Sequence, residues 1–184
     1  MKKKKRVKGK LLLCLTAVTL ILVSAVCLYA RLKPSEYANL IEKYAEEYCL
    51  PAELIYGVIA TESGFDPKAQ SNMDAKGLMQ LTDETFEFVG YKLGENLSLD
   101  EVFDPETNIR YGTYLLSFLI DYFGNTDTAL AAYNAGIGCV EGWLQNDDYS
   151  RDGVTLYNIP YEETRLYVIK VNAAMKLYGI GQEK

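Results

Sequence analysis

The chain of 184 residues has the length of one ordinary domain, and its 49% apolar content is enough for a folded core, which excludes a disordered protein. Residues 1–33 hold nine of the nineteen basic residues and no acidic one, so the remainder has a net charge of −15, which argues against nucleic acid as a partner. Because the chain has no histidine, no Cys-x-x-Cys pair and no EF-hand-like loop, we expect no metal site.

The N-terminus is a basic stretch followed by an apolar one. After "MKKKKRVKGK", twenty uncharged residues begin at Leu11 and end at Ala30, enough at about 1.5 Å per helical residue to cross a hydrocarbon core of about 30 Å. A cleaved secretion signal is the alternative. The apolar part of such a signal is only about 7–15 residues long and is followed by an Ala-x-Ala-like site. The apolar run of this chain is longer, and no clear site of that kind follows it. The sequence therefore predicts a single-pass protein of the cell membrane: cytoplasmic tail 1–10, anchor 11–30, linker 31–35 and extracellular domain 36–184.

The elements predicted for the domain are almost all helices. Ser35 is the expected cap of a first helix, and its apolar residues recur at helical spacing as far as Tyr48. Pro51 opens a second helix, Gly64 ends it, and a polar loop follows. Further helices are predicted over 77–89, 104–123, 126–135 and 160–178. The best candidate for a strand is "VTLYNI", 154–159, so the predicted fold class is mainly α.

Two cysteines, Cys49 and Cys139, lie outside the anchor. In an extracellular domain they can form a disulfide. Small buried apolar side chains are an equally good interpretation, because free cysteine is among the most buried residue types. The sequence leaves both interpretations open.

Glu62 continues the apolar face of the second predicted helix. It follows Ile55, Val58 and Ile59 at the spacing i, i+3, i+4, i+7, and no other acid lies within a turn upstream on that face. Burial and the negative end of the helix dipole both raise the pKa of a carboxyl group in such a place. A glutamate that is protonated near neutral pH is suited to general acid catalysis. The alternative is an ordinary solvated acid near a helix end.

Four stretches of sequence carry a family resemblance: "ATESGFDPKAQS", "GLMQLT", "AAYNAG" and "IPYEETRLYV", in this order. Together they resemble the lytic transglycosylases of the soluble-transglycosylase (SLT) type, glycoside hydrolase family 23, over about residues 36–178. The resemblance implies a lysozyme-like helical domain, similar to goose-type lysozyme. It also implies that the partner is a peptidoglycan glycan strand, cleaved at the β-1,4 bond between N-acetylmuramic acid and N-acetylglucosamine.

The resemblance makes Glu62 the catalytic acid and base, and it implies that no cofactor is needed. Substrate-binding residues are implied at five positions, with core packing as an alternative for the last: Ser71, which faces N-acetyl groups, Gln80, Tyr133, Asn134 and Tyr167. Ordinary glycosidases use a pair of carboxylates. In this family the substrate replaces the second one: its N-acetyl oxygen stabilises C1 and its own C6 hydroxyl attacks, which leaves a 1,6-anhydromuramic acid end.

Departures from the family pattern leave two other functions open. Thr82 and Asp83 follow "GLMQL" where a methionine and a proline are common, with Asp83 a possible cap for the next helix. If Asp66 or Asp74 positioned a water, the protein would be a goose-type lysozyme-like hydrolase. A wall-binding component of a secretion or conjugation system, with vestigial catalysis, is the other alternative. The acidic domain should also be weakly attracted to an anionic cell wall unless basic groups gather at the cleft.

Overall fold

The computed structural model describes residues 16, 18–20 and 36–179. The chain divides into two units, 1–35 and 36–184, and the second is described below. Its helices are, in chain order, α1 (Ala38–Glu47), α2 (Ala52–Glu62), α3 (Asp83–Leu93), a 3₁₀ helix (Leu99–Phe103), α4 (Pro105–Phe123), α5 (Thr126–Ala135), α6 (Ile137–Leu144) and α7 (Glu162–Gly179). Over the described residues, β pairing is limited to isolated bridges, so the prediction of a mainly helical fold is confirmed.

The predicted anchor at 11–30 lies outside the described residues, except for 16 and 18–20. The tail 1–10, the linker 31–35 and the predicted cap Ser35 lie outside them as well. Among the residues that are described, no helix combines the length and the apolar character needed to cross a membrane. The single-pass anchor stays a prediction.

Helix α3 begins six residues later than predicted. Residues 77–82 form a tight turn in which Gln80 has a φ of +50°, a left-handed conformation that ends any helical path. The cap of α3 is Thr82 rather than Asp83, since the Thr82 hydroxyl oxygen accepts a hydrogen bond from the Thr85 N–H at 3.2 Å. Asp83 instead lies in the first turn, where its carboxylate pairs with Lys76 at 2.6 Å.

Three further predictions differ from the structure. The stretch 154–159, named as the best candidate for a strand, is irregular apart from one bridge between Ser150 and Leu156. Helix α6 was not predicted, because its two glycines lower helix propensity and its formation depends on tertiary burial of Val140 and Trp143. The two cysteines of the domain are both free and exposed, so the disulfide and the buried interpretations are both wrong.

Helix α2 is buried along most of its length. Residues 54–59 are all buried, so the predicted apolar face belongs to a helix that is enclosed on every side. Gly57 lets α7 approach closely, because a Cβ at this position would lie only 3.0 Å from the carbonyl oxygen of Val171. This close approach sets the C-terminal end of α2, and Glu62 with it, beside α7.

Asn108 connects α4 to the turn that precedes α3. Its side chain is fully buried; Oδ1 accepts from the Met79 N–H at 2.7 Å, and Nδ2 donates to the carbonyl oxygens of Val102 at 2.7 Å and Lys76 at 3.1 Å. The Gly77 backbone lies so close to the Asn108 amide that a Cβ on it would meet Nδ2 at 2.3 Å. One side chain therefore fixes the turn that carries Gln80.

We expect Asn108→Ala to lower the free energy of unfolding by about 3 kcal/mol, because two buried backbone groups and one part-buried group lose their partner and a cavity remains. Urea unfolding of the two proteins measures the difference. Asn172→Ala, which removes only an exposed hydrogen bond to Asp127, is the matched control and should stay within about 0.5 kcal/mol of the unsubstituted protein. Equal losses of unfolding free energy in the two variants would contradict the structural role given to Asn108.

Candidate active site

A cleft of about 310 Å³ opens at the C-terminal end of α2. Five of the six residues predicted for the site line it: Glu62, Ser71, Gln80, Tyr133 and Asn134. The other lining residues are Met73, Ala75, Leu81, Thr82, Thr85, Leu115 and Glu163. The cleft thus gathers residues from α2, from the loop that follows it and from α3, α4, α5 and α7.

Glu62 is the last residue of α2 and is half-buried in the cleft wall. Burial raises the pKa of its carboxyl group from 4.5 to about 7, and the Tyr167 hydroxyl opposes part of that rise. The residue after it, Ser63, donates a hydrogen bond to the carbonyl oxygen of Leu78 at 2.8 Å and so connects the end of α2 to the turn at 77–82. Glu62 is therefore fixed in position, and a large fraction of it is protonated at neutral pH.

The side chain of Gln80 is held by the loop on which it stands. Its Nε2 donates to the carbonyl oxygens of Gly77 at 2.9 Å and Ala69 at 3.2 Å. The Tyr133 hydroxyl donates to the carbonyl oxygen of Met79 at 2.7 Å. Burial and the nearby Glu62 carboxyl raise the pKa of Tyr133 well above its ordinary value, so the phenol is neutral. These bonds give one wall of the cleft a fixed shape.

Ser71 and Asn134 keep hydrogen-bond donors available to the cleft. The Ser71 oxygen accepts from the N–H groups of Met73 at 3.2 Å and Ala75 at 3.1 Å, which leaves its hydroxyl proton to donate. The Asn134 Oδ1 accepts from the Thr164 hydroxyl at 2.8 Å, which orients the amide and leaves its NH₂ group to donate. Both side chains are exposed, so a ligand in the cleft can reach them.

Tyr167 is placed behind Glu62 rather than in the lining of the cleft. Its hydroxyl is buried and, within the described part of the chain, is the one such side-chain atom that makes no well-formed hydrogen bond. It nevertheless lies close enough to lower the pKa of Glu62, so the contact is looser than a normal hydrogen bond. The ring of Tyr167 is thus packed in the core, as in the second interpretation, and its hydroxyl faces the Glu62 carboxyl group, while a contact with substrate stays a prediction.

We expect Tyr167→Phe to raise the pKa of Glu62 above 7, because the substitution removes the hydroxyl that lowers it. Carboxyl ¹³C NMR titration of labelled glutamate measures the shift. Tyr178→Phe removes a tyrosine hydroxyl from a different buried cluster, the one formed with Tyr56 and Phe65, and should leave the titration of Glu62 unchanged. A lower pKa in the Tyr167 variant would contradict this placement.

Glu163 is the acidic residue of the lining that sequence reasoning missed. A signal was available, because Glu163 lies four residues before Tyr167 and so on the same helical face. The acids that were considered instead lie outside the lining: Asp74 accepts from Gln70 at 2.6 Å and pairs with Lys76 at 3.1 Å, and Asp66 accepts from the Lys68 N–H at 2.9 Å. No lysine or arginine is among the residues that line the cleft.

Known proteins resemble this chain in sequence and in fold. A family model described as the transglycosylase SLT domain matches residues 39–154. The soluble lytic murein transglycosylase of Escherichia coli is 36% identical over 149 residues, which is 76% of this chain and 22% of that protein. The membrane-bound lytic murein transglycosylase C of Yersinia pestis is 34% identical over 168 residues, 78% of this chain and 46% of that protein.

Among solved structures, the lytic transglycosylase Slt of Pseudomonas aeruginosa, in the form of an inactive mutant, superimposes with a TM-score of 0.72 at 34% identity. The match covers 80% of this chain and 24% of that one. The chain thus spans less than half the length of each of these relatives. The matched family model extends over most of the helical unit that holds Glu62. The chain belongs to the SLT transglycosylase domain family.

Proposed function

We propose that the chain is a membrane-anchored peptidoglycan lytic transglycosylase. It cleaves the β-1,4 bond between N-acetylmuramic acid and N-acetylglucosamine and leaves 1,6-anhydromuramic acid ends. The observation that carries the proposal is the state of Glu62: a half-buried carboxyl group with a pKa of about 7, at the edge of a cleft lined by neutral hydrogen-bond donors. The relatives in this family are named lytic murein transglycosylases, which supports the choice of substrate.

The raised pKa of Glu62 suits it to both halves of the reaction. As an acid, the Glu62 carboxyl donates its proton to the glycosidic oxygen as the bond from C1 to that oxygen breaks. As a carboxylate, it then accepts the proton of the C6 hydroxyl of the same muramic acid, and O6 bonds to C1. No water is consumed, and the carboxyl group regains its proton. A group whose pKa lies near the working pH performs both transfers with little cost in either direction.

In the proposed reaction, the hydrogen-bond donors around Glu62 orient the acetamido group of the substrate's muramic acid. In this proposal its oxygen stabilises C1 as the glycosidic bond breaks, so the group must be held under the ring. The Ser71 hydroxyl and the Asn134 NH₂ group are free to donate to it, and their own bonds to Ala75 and Thr164 hold them in place. Preorganised donors of this kind save the entropy of orienting the reacting groups.

The cleft does not gather the basic groups that would offset the acidic charge of the domain. With no lysine or arginine in the lining of the cleft, binding depends on hydrogen bonds and apolar contacts with uncharged sugars rather than on attraction to the charged wall. We therefore place the substrate's glycan backbone, and not its carboxylates, in contact with the cleft. Digestion of purified peptidoglycan, with mass spectrometry of the soluble products, tests the proposal: products lighter by one water than reducing muropeptides are expected.

A hydrolase is the second candidate, and one observation favours it. Glu163 lines the same cleft as Glu62, and a second carboxylate can activate a water in an ordinary glycosidase. This replaces the role considered for Asp66 or Asp74, since neither of them lines the cleft. Against the hydrolase, the pKa of Glu62 is set by burial and by Tyr167, and no neighbouring carboxylate is among its causes.

We expect Glu163→Gln to keep the anhydro product and to lower kcat/KM by less than about tenfold, because Glu163 is not the group that moves the proton. Product analysis by mass spectrometry and rates on purified peptidoglycan test this. Glu162→Gln changes the adjacent acid, which is outside the lining of the cleft, and is the matched control. Loss of activity by more than about a hundredfold, with reducing ends in the residual product, would instead assign the base of a hydrolase to Glu163.

The proposed cellular location of the protein is based on its N-terminal sequence. We propose that residues 11–30 anchor the domain and that it acts at the outer surface of the membrane; the membrane-bound relative in Yersinia pestis is consistent with this placement. A scaffold role within a secretion or conjugation system is the competing possibility, in which catalysis is dispensable. Complementation of a deletion strain separates them, because only a scaffold would work with Glu62→Gln in place.

A further inference from the structure

Helix α7 has an apolar outer face. Its inner face packs on α2 and α5 and is buried. On the opposite face Leu166, Ile169 and Leu177 are 40%, 52% and 47% exposed, and Ala173 is exposed between the last two. These four residues follow the spacing i, i+3, i+7, i+11 and form one continuous band along the helix, the outer stripe. A helix that is apolar on two opposite faces is normally covered on both, so the outer stripe calls for an occupant.

Basic residues border the outer stripe on both sides. Lys170 lies on one side, and Arg165 and Lys176 lie on the other. From Thr164 to the end of the helix the sequence has these three basic residues and no acid, although the domain 36–184 has ten basic and twenty-five acidic residues. Within the described residues Lys170 and Lys176 form no ion pair, and Arg165 pairs with Glu162 at 3.6 Å. An apolar stripe between basic side chains is typical of a helix that lies at the surface of an anionic membrane.

The described domain begins near the C-terminal end of α7. Burial raises the pKa of the Tyr37 phenol and the carboxylate of Asp66 raises it further, so Asp66 lies close to this start. Phe65, the preceding residue, has its ring 6.1 Å from the ring of Tyr178 in the last turn of α7. The predicted linker 31–35 reaches at most about 18 Å when fully extended. A short tether at this end of the domain favours contact between α7 and the bilayer.

We propose that the outer stripe of α7 lies on the surface of the anionic membrane in which the chain is anchored. The inference rests on the proposed function, because it takes the anchor at 11–30 from there. The four apolar side chains contact the boundary between headgroups and acyl chains, and the basic side chains beside them extend their charged ends to the lipid phosphates.

Two observations favour lipid over other occupants and keep the proposal compatible with catalysis. A second copy of the chain fits less well, because a symmetric contact through the outer stripe would bring two basic faces together. None of the four residues of the outer stripe lines the catalytic cleft. Lipid and glycan strand therefore contact different residues, and both can be bound at the same time.

The test uses the full chain in vesicles of equal parts phosphatidylglycerol and phosphatidylcholine, with bromine atoms on the acyl chains as quenchers. Ile169→Trp places a fluorescent side chain in the outer stripe, and Tyr91→Trp places one at an exposed position of α3 as the matched control. Trp143 is buried and common to all the proteins, so the unsubstituted chain gives its contribution. Quenching of the added tryptophan reports contact with the acyl chains. Vesicles of phosphatidylcholine alone provide the comparison without lipid charge.

Two further variants, each made in the Ile169→Trp chain, test the basic border. One combines Lys170→Glu with Lys176→Glu; the other combines Lys68→Glu with Lys92→Glu, which makes the same change in net charge at two exposed lysines outside α7. Each lysine near an anionic surface is worth about fivefold in binding, so the first pair should lower the quenching at least about threefold and the second should leave it unchanged. Omission of phosphatidylglycerol should lower it to a similar extent as the first pair does.

Quenching in Ile169→Trp should be at least about threefold stronger than in Tyr91→Trp, because only the outer stripe meets the acyl chains. Absent quenching, equal quenching in Tyr91→Trp, or quenching that neither reversal of Lys170 and Lys176 nor omission of phosphatidylglycerol weakens would overturn the assignment. Absent quenching together with crosslinked dimers would assign the outer stripe to a second copy instead.

Flotation of the full chain with the vesicles separates failure of this inference from failure of the proposed anchor. A chain that floats without quenching keeps the anchor and overturns the role of α7. A chain that floats only while Lys170 and Lys176 are present supports the role of α7 and overturns the anchor. A chain that does not float overturns both. Digestion of peptidoglycan tests the proposed activity independently of all these outcomes.

Discussion

Glu62→Gln should abolish release of anhydromuropeptides from purified peptidoglycan, with a loss in kcat/KM of at least about a thousandfold. The substitution removes the proton donor and the base together, and general acid–base catalysis by one group is worth about 10²–10⁴ on its own. Glutamine keeps the shape of the side chain, so the cleft should stay intact. Mass spectrometry of soluble products and a rate assay on labelled peptidoglycan provide the measurement.

The pH dependence gives a second measurement of the same group. Because the carboxyl group of Glu62 must begin protonated and its pKa is about 7, kcat/KM of the unsubstituted protein should fall as the pH rises through 7, by about tenfold per pH unit above it. In Tyr167→Phe the fall should begin at a higher pH.

A Glu62→Gln variant that retains more than about a tenth of the activity would remove Glu62 from the mechanism.

The substitution Glu62→Gln should also make the folded domain more stable at high pH. The carboxyl group of Glu62 has a pKa of about 7 in the folded protein against 4.5 ordinarily, so between these values the folded state binds more protons than the unfolded one. The unsubstituted protein therefore loses stability as the pH rises from 4.5 to 7. Glutamine does not titrate, so Glu62→Gln should exceed the unsubstituted protein by about 2–3 kcal/mol above pH 7, and by almost nothing below pH 4.

Urea unfolding at several pH values measures this difference directly. Every other titrating group is common to the two proteins, so it cancels in the difference. Glu46→Gln alters an exposed glutamate of α1 and should show a difference that stays within about 0.5 kcal/mol at every pH. A stabilisation that is independent of pH would refute burial as the cause of the raised pKa, and destabilisation above pH 7 would refute the raised pKa itself.

The position of Glu62 lowers the stability of the folded protein when its carboxyl group is ionised. Half-burying a carboxyl group at the end of α2 costs free energy once the group ionises. The hydroxyl of Tyr167, which could satisfy it, stays without a well-formed hydrogen bond. A closer hydroxyl would stabilise the anion and lower the pKa, leaving a poorer acid. The loose contact thus favours activity over stability.

Local sequence determined most of the helices and the position of Glu62. Pro51 and Gly64 bound the second predicted helix, and α2 ends at Glu62 within two residues of that prediction. Two helices were not predicted correctly from the sequence. Helix α3 begins later than predicted because Gln80 adopts a left-handed conformation that neighbouring residues do not encode. Helix α6 contains glycines, which lower helix propensity, and it forms because other elements bury its apolar side chains. Propensity and capping act over a few residues, so they predict elements whose stability is local.

Only some of the residues that line the cleft could be predicted from the sequence. Spacing on α2 and the four family-like stretches indicated Glu62, Ser71, Gln80 and the pair Tyr133-Asn134, all of which line one cleft. Position along the chain made Asp66 and Asp74 plausible as well, since they are close to Glu62 in sequence. Their hydrogen bonds within the loop, to Lys68 and to Gln70, turn them to other partners.

What the sequence determined by itself is the helical class of the domain, the acidic charge of its surface and the single carboxyl group at the end of an apolar helix. These depend on composition and on spacing within one element. The tertiary structure alone decided which side chains meet Glu62: it brought Glu163 into the cleft, set the Tyr167 hydroxyl behind the carboxyl group and raised the pKa to about 7. Burial and contacts between distant residues exist only once α2, α5 and α7 have packed. Spacing within one helix could therefore indicate that the pKa of Glu62 is raised, but not how far it is raised or which side chains surround the carboxyl group.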